Sequence, residues 1–266
     1  GKGGFVVEQY NGTTYAGDDI TAYDGVTTVW STVLTADSHA FYANGENLNV
    51  AGTPSNNVKA NASMLIGAYS SSGYDFVGEV EQLIIFGSAL SDTDRKLVER
   101  YLGSTGVGLY SDIPDLSTQA LESLVAHYDG KMGVESDGGS VVSWTPVDGY
   151  GDSLDEMIVR STQIGNGAPE LIKYGRPGKL IFDDTNVSAD GRYLEGTLSN
   201  AESKELTVFW VGHYKADAPF ATSGTYVYNI GINNTSHQRD DGKGGFVVEQ
   251  YNGTTYAGDD ITAYDG

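Results

Sequence analysis

The sequence predicts an all-β sandwich closed by one short helix, and three observations carry that expectation. Short runs rich in Val, Ile, Thr, Tyr, Phe and Trp recur along the chain, separated by Gly, Asn and Asp turns, the pattern of stacked antiparallel strands. Asn44-Gly45 sits between two such runs, and a type I′ hairpin turn wants positive φ at both of its central positions. A strong amphipathic helical pattern, over residues 91–103, closes the series of strands.

The order of the elements depends on a repeat. Residues 1–25 and 242–266 both read GKGGFVVEQYNGTTYAGDDITAYDG, at an offset of 241 residues. Divergent duplication leaves substitutions, and here there are none. The chain is then a window of one period plus 25 residues from an array of near-identical repeats, a circular permutant with a duplicated strand, or a protein with a locally copied segment. The opening Gly1-Lys2-Gly3-Gly4, running straight into an apolar strand at Phe5, is expected to be the inside of a fold. The array is the reading adopted, and it demands that residues 117–241 followed by 1–116 make sense as one domain.

They do. In that order Ser117 caps a short helix carrying Leu121, Leu124 and Val125. Residues 125–130 (VAHYDG) and 140–144 (SVVSW) read as strands, and 175–184 (GRPGKLIFDD) as a turn feeding another. Residues 205–214 (ELTVFWVGHY), β-branched and aromatic, are the best candidate for a central strand. Then come 225–230 (TYVYNI), 244–251 (GGFVVEQY, repeated as 3–10), 26–35 (VTTVWSTVLT), the hairpin of 39–50, and the last strands at 64–69 and 76–86. In the closing helix Ser91 is the N-cap, with Asp94 as a short-armed capping box. Leu97, Val98, Tyr101 and Leu102 share one face, and Gly103 is the C′ stop. Val208, Trp210, Ile84, Phe86, Val29 and Phe5 are expected in the core between two facing sheets, with Leu97 and Tyr101 anchoring the helix.

The run from Trp30 to Leu102 resembles the C-terminal half of laminin G-like domains, jelly-roll sandwiches of the concanavalin A-like lectin and glucanase superfamily. The matching residues are Trp30 on its strand, the hairpin Tyr42-Ala43-Asn44-Gly45, Ile66-Gly67, the stretch Phe76-Val77-Gly78-Glu79-Val80-Glu81, and a helix from Leu90-Ser91-Asp92 to Tyr101-Leu102. More loosely, Leu124 to Asp129, Ser140 to Trp144 and Gly178 to Asp183 are similar to strands of the N-terminal half. The resemblance implies a concanavalin A-like jelly-roll β-sandwich with one short closing helix. It does not transfer function, which varies widely on this fold.

Residues 1–105 are accordingly expected to form the C-terminal half of one jelly roll, and 118–266 the N-terminal half plus duplicated strands of the next, or of the same domain if permuted. Residues 106–117 form a linker spanning at most roughly 40 Å. Contacts of Trp210 with the Trp30 to Phe86 region separate the two arrangements. Within one chain they speak for permutation; between chains, for an array.

Glucanases of this fold carry an E-x-D-x-x-E strand, which sets three carboxylates on one face for glycoside cleavage. The nearest candidate, Glu79-Val80-Glu81, runs into Gln82, Leu83, Ile84 and Ile85 without a third acid, and Glu135-Ser136-Asp137 runs into Gly138-Gly139. His39, His127, His213 and His237 show no paired spacing, and no G-x-S-x-G elbow occurs. No catalytic constellation is expected. Domains of the resembling family often hold a Ca²⁺ at the sandwich rim, and such an ion takes about 6–8 oxygen ligands from loops. Asp18, Asp19, Asp183 and Asp184 are the candidate ligands, against the plainer role of aspartate in capping turns. Asp240-Asp241 is a further acidic pair. For stacking on a sugar, Tyr10, Tyr15, Tyr23, Tyr69, Tyr74 and Tyr150 lie near strand ends, and no subset stands out. N-x-S/T sequons begin at Asn11, Asn61, Asn186, Asn233, Asn234 and Asn252.

Composition narrows the partners. Thirty-six acidic against 15 basic residues give a formal charge of −21, which repels nucleic acid and anionic lipid. The absence of cysteine removes disulfides and thiolate metal sites, and no apolar run approaches the roughly 18 residues of a membrane span. The expected function is a non-enzymatic structural or adhesive module, extracellular or at the cell surface. Its partners are neighbouring copies of the same repeat, stacked in a filament, stalk or adhesin. The alternative is a carbohydrate-binding module, with glycans as partners and Ca²⁺ as cofactor.

Overall fold

The computed structural model of the chain describes residues 3–9, 13–19, 23, 25–35, 38–48, 62–67, 76, 78–104, 113, 115–147, 157–161, 172–175, 178–182, 192–198, 205–214, 225–230 and 246–252. In chain order they form β1 (Gly3–Gln9), β2 (Thr13–Asp19), β3 (Thr28–Leu34), β4 (His39–Ala43), β5 (Glu46–Asn47), β6 (Ala62–Ile66) and β7 (Gly78–Phe86). Two helices follow, α1 (Asp92–Ser104) and α2 (Thr118–Glu122). The remaining strands are β8 (Leu124–Asp129), β9 (Val134–Asp137), β10 (Ser140–Trp144), β11 (Met157–Ser161), β12 (Lys173–Gly175), β13 (Lys179–Phe182), β14 (Arg192–Leu198), β15 (Leu206–Tyr214), β16 (Thr225–Ile230) and β17 (Phe246–Asn252).

The strands pair antiparallel in two runs. In the first, β7 carries β13 and β8 on one edge and β15 on the other, and the run continues through β3 and β4 to β5. The second runs β9-β10-β11-β14-β6-β16-β17-β1-β2. Strand β12 pairs with β10 and with β13, so it ties the runs together. Trp30, Leu83, Ile85, Val208 and Trp210 of the first run are buried in one cluster with Met64, Ile66, Val141, Trp144 and Leu194 of the second. This is the packing of an all-β sandwich.

The strand read as central from its sequence, β15, lies between β3 and β7. Trp210 is directly opposite Trp30, their rings stacked with centroids 5.4 Å apart and planes 8° from parallel. Phe76 meets Trp210 edge-on at 6.2 Å. Residues from both halves of the sequence thus share one core within one chain, the arrangement expected of a permuted single domain and not of the two half-domains that the array reading required.

The core residues divide in a way the sequence reading did not foresee. Val208 and Trp210 face the sandwich interior. Ile84, Phe86 and Val29, also expected there, belong instead to a second cluster with Leu90, Val98, Leu102 and Ala120. The reason is alternation: β7 is covered on both faces, so neighbours in its apolar run Leu83-Ile84-Ile85-Phe86 enter different cores. Phe5 is on β1, and its side chain lies outside the described residues. Leu97 and Tyr101 are half-buried against the second cluster, while Val98 and Leu102 are the buried anchors.

Local signals fared well at turns and caps. Asn44 (φ 49°) and Gly45 (φ 83°) both have positive φ, as a type I′ hairpin requires. The Asn44 Oδ1 also accepts the Val29 N–H at 3.0 Å, tying the turn to the neighbouring strand. Ser91 and Ser117 accept the backbone N–H groups of Asp94 and Ala120, each at 3.1 Å, and so cap α1 and α2. Two expectations are corrected. Gly103 lies inside α1, without positive φ, and the helix continues to Ser104. Leu124 and Val125 belong to β8, because α2 stops at Glu122. Within the expected linker, Ile113 is buried in the second cluster and Leu116 packs against it, so this part of the connection is held on the fold.

Candidate functional site

The carboxylate pair of β7 is the natural place to look for chemistry. Its burial pattern leaves Glu79 and Glu81 half-exposed and sends Val80 into the core. Beyond Val80 the ladder with β15 slips: Gln82 pairs with Val211 and Val80 with Gly212, leaving Glu81 as the extra residue. Gly212 permits this approach, since a Cβ there would collide with the Glu79 carbonyl. Its own carbonyl accepts the Trp30 indole N–H at 3.3 Å.

Lys179, the first residue of β13, resolves the charge of the pair. Its Nζ donates to Glu79 Oε2 at 2.7 Å and lies 3.3 Å from Glu81 Oε1. The hydrogen bond to Glu79, reinforced by Glu81, holds the ammonium above the usual lysine range despite some desolvation. His213, opposite Glu79 on β15, brings its Nδ1 to 3.7 Å from Glu79 Oε2. One cation is thus shared by two carboxylates, with an imidazole at the margin. Glycoside hydrolysis needs one carboxyl free to hold a proton and one free to act as nucleophile or base. Here both are engaged by the same ammonium.

A third acid lies deeper. Asp129 ends β8 with no exposed surface. Its Oδ1 accepts the Lys131 N–H at 2.7 Å, and its carbonyl accepts the Trp144 indole N–H at 3.1 Å. Burial pushes its carboxyl above the ordinary aspartate range, and Glu81 adds to this, while the N–H and charge of Lys131 work against it. Its Oδ2 is buried without a hydrogen-bond partner. The residue closes the turn after the opening strand, the local role aspartate commonly takes.

A separate buried ionic group joins α1 to the sheet. Arg95 is 2 % exposed and pairs with Glu99 one turn on. Glu99 also accepts the Ser31 hydroxyl, and the Arg95 guanidinium lies 3.6 Å from the centre of the Tyr42 ring. Ser31 and Tyr42 are paired neighbours on β3 and β4, so this group clamps the helix to the sheet.

The metal candidates fall mostly outside what is described. Asp18 and Asp19 form the end of β2, not a loop, with Asp19 opposite Gly4; their side chains lie outside the described residues. Asp183 and Asp184 follow β13, and they and Asp240-Asp241 lie outside the described residues as well. Among the described residues no group of three or more His, Asp or Glu side chains gathers as a metal cage, and no helix is long and apolar enough to cross a membrane. Glu135 and Asp137 are exposed residues of β9, Glu135 taking a 3.4 Å contact from the Ser143 hydroxyl. His127 is fully buried. Of the tyrosines, Tyr23 packs edge-on against Trp30 at 5.4 Å and donates to Glu46 at 3.2 Å. Tyr15 is on β2 without a described side chain, and Tyr10, Tyr69, Tyr74 and Tyr150 lie outside the described residues.

Lys179, Asp129 and the Arg95–Glu99 pair escaped the sequence reading. Only Arg95–Glu99 carries a local signal, an i,i+4 spacing; the others meet their partners across strands distant in sequence. No protein-family model matches the chain, and no curated protein or solved structure matches it.

Proposed function

We propose that this chain is a non-enzymatic structural or adhesive repeat module, extracellular or at the cell surface, built on a concanavalin A-like jelly roll in rotated order. The observation that carries the reading is the 25-residue identity at an offset of 241 residues; the stacking of Trp30 on Trp210 within one chain favours a module whose two halves pack on each other in permuted order over half-modules completed by neighbouring copies. One period supplies β1 to β16, and β17 is the copy of β1 that opens the next period, so copies can follow one another. Modules of this kind stack into filaments, stalks or adhesins, where uniform repeats give length and even mechanics.

The polar site supports the non-enzymatic part of the reading. Glu79 and Glu81 share the Lys179 ammonium, and their strand provides no third acid. Sequencing and mass measurement of the native parent protein test the repeat directly. Several uninterrupted 241-residue copies are expected; a single copy joined to a catalytic domain would favour the carbohydrate-binding alternative, which a glycan array then probes. A rim Ca²⁺ held by Asp18, Asp19, Asp183 and Asp184 is the cation the acidic surface suits. Thermal melting with and without EDTA tests it, an unchanged midpoint leaving these residues as solvated turns.

A further inference from the structure

The duplicated segment does more than repeat. Strand β1 and its copy β17 lie side by side and antiparallel. Their register is centred on a single residue: Val7 is opposite Val248, which is the copy of Val7. Phe5↔Gln250 is mirrored by Gln9↔Phe246, and Val6↔Glu249 by Glu8↔Val247. Across residues 5–9 the pairing is thus symmetric about Val7, with roles exchanged on either side, as in an isologous twofold interface.

We infer that the strand of residues 3–9 is a self-pairing joint, and that the edge meeting its own copy here is the edge by which one module binds a second copy of this chain. Three features support it. A register centred on the same residue in both strands makes each present the same backbone edge, so a strand without its copy leaves that edge open. Such an open, β-prone edge is a template for pairing. The opposite edges are occupied, that of β1 by β2 and that of β17 by β16, so the joint continues a sheet on both sides.

Charge also selects the register. In the observed pairing Glu8 and Glu249 each oppose a valine. A slide of two positions would set these glutamates directly against each other, and like charges directly opposite are destabilising. The occupant is a second copy because both edges have the same sequence. The inference deepens the repeat reading by giving consecutive modules a joint, but it is tested separately, since copy number in the parent protein does not enter the experiment below.

The full chain contains no cysteine, so engineered thiols report alone. Directly opposed antiparallel residues lie about 4.5–5.5 Å apart at Cα, inside the range a disulfide bridges. The Val7→Cys/Val248→Cys chain is expected to form an intramolecular disulfide under mild oxidation. It should do so about tenfold faster than Val6→Cys/Val248→Cys, whose one-residue offset turns the thiols to opposite faces. A second variant, Val7→Cys/Val248→Pro, removes the partner, because proline cannot donate to the ladder. It is expected to double in mass by light scattering and to yield disulfide-linked dimers. Equal crosslinking rates in the first comparison would overturn the self-pairing register whether or not the proline variant folds. A Val7→Cys/Val248→Pro chain that stays monomeric, with native near-ultraviolet dichroism from Trp30 and Trp210, would overturn the joint between copies.

Discussion

Arg95 shows what a single buried charge demands of its surroundings. It is almost fully enclosed, pairs with Glu99 and stacks on Tyr42. Replacing it by methionine leaves Glu99 buried without its cation, which costs about 3–5 kcal/mol in comparable pairs. The double variant Arg95→Met/Glu99→Leu removes both charges and is expected to recover much of that loss. Urea unfolding of the single and double variants measures the coupling; additive losses would mean the pair does not act as a unit. Asp129 behaves differently, because burial raises its carboxyl pKa. A raised folded value means that the protonated form is the one favoured in the fold. The stabilisation is present below the ordinary carboxyl value and lost as pH rises through the raised one. Asp129→Asn keeps the oxygen that accepts the Lys131 N–H and is expected to remove this part of the pH dependence, read from melting temperature against pH. The i,i+4 spacing of Arg95 and Glu99 was the only local sign of this pair; its burial against Ser31 and Tyr42, like the burial of Asp129, depends on strands far away in sequence.

Among the elements, legibility followed the density of β-formers. The run 205–214 is so rich in Val, Phe and Trp that only a strand fits it, and β15 is that strand. Strands β2, β9, β11 and β14 were missed because TTYAGDD, VESD, MIVRS and RYLEGTL mix polar and weak β-forming residues and owe their pairing to neighbours. Helix α1 was found from its cap and apolar face, yet the main task of Asp94 was not visible. Its carboxylate accepts the Ser91 hydroxyl at 2.7 Å and the Ser117 N–H and hydroxyl at 3.0 Å each, joining the starts of α1 and α2. Burial opposes this charge, but those donors outweigh it and hold the Asp94 carboxyl below its ordinary range. A depressed folded value gives stability that is present above the ordinary carboxyl pKa and lost as pH falls through the depressed one. Asp94→Ala is expected to cost about 1–2 kcal/mol at neutral pH, the scale of a lost cap. It should also flatten the acid limb of a pH–stability curve. An acid limb as steep as that of the unaltered chain would show that Asp94 does not carry this linkage.

At the scale of the whole molecule, the stacking of Trp30 on Trp210 makes chain order a separable property. Residues of 1–116 and of 117–241 bury one another, and the connection through Ile113 and Leu116 lies on the fold. Ser117 is held to Asp94 by two 3.0 Å hydrogen bonds, so the start of α2 sits against the start of α1. A chain made in the order 117–241 then 1–116 therefore keeps each strand once and breaks one surface connection. Loop-closure entropy changes slowly with length, so the rearrangement should cost about 1 kcal/mol, or roughly 2–4 °C in melting temperature. The expected product has the same near-ultraviolet dichroism from its stacked tryptophans and one cooperative transition. Trp210→Ala in either order should lose about 3–5 kcal/mol, the usual cost of emptying a large aromatic site, because both orders place Trp210 against Trp30 and Phe76. A reordered chain that loses the tryptophan signal, or that tolerates Trp210→Ala where the present order does not, would show that the mixed core depends on the rotated order. The period would then be no module in its own right.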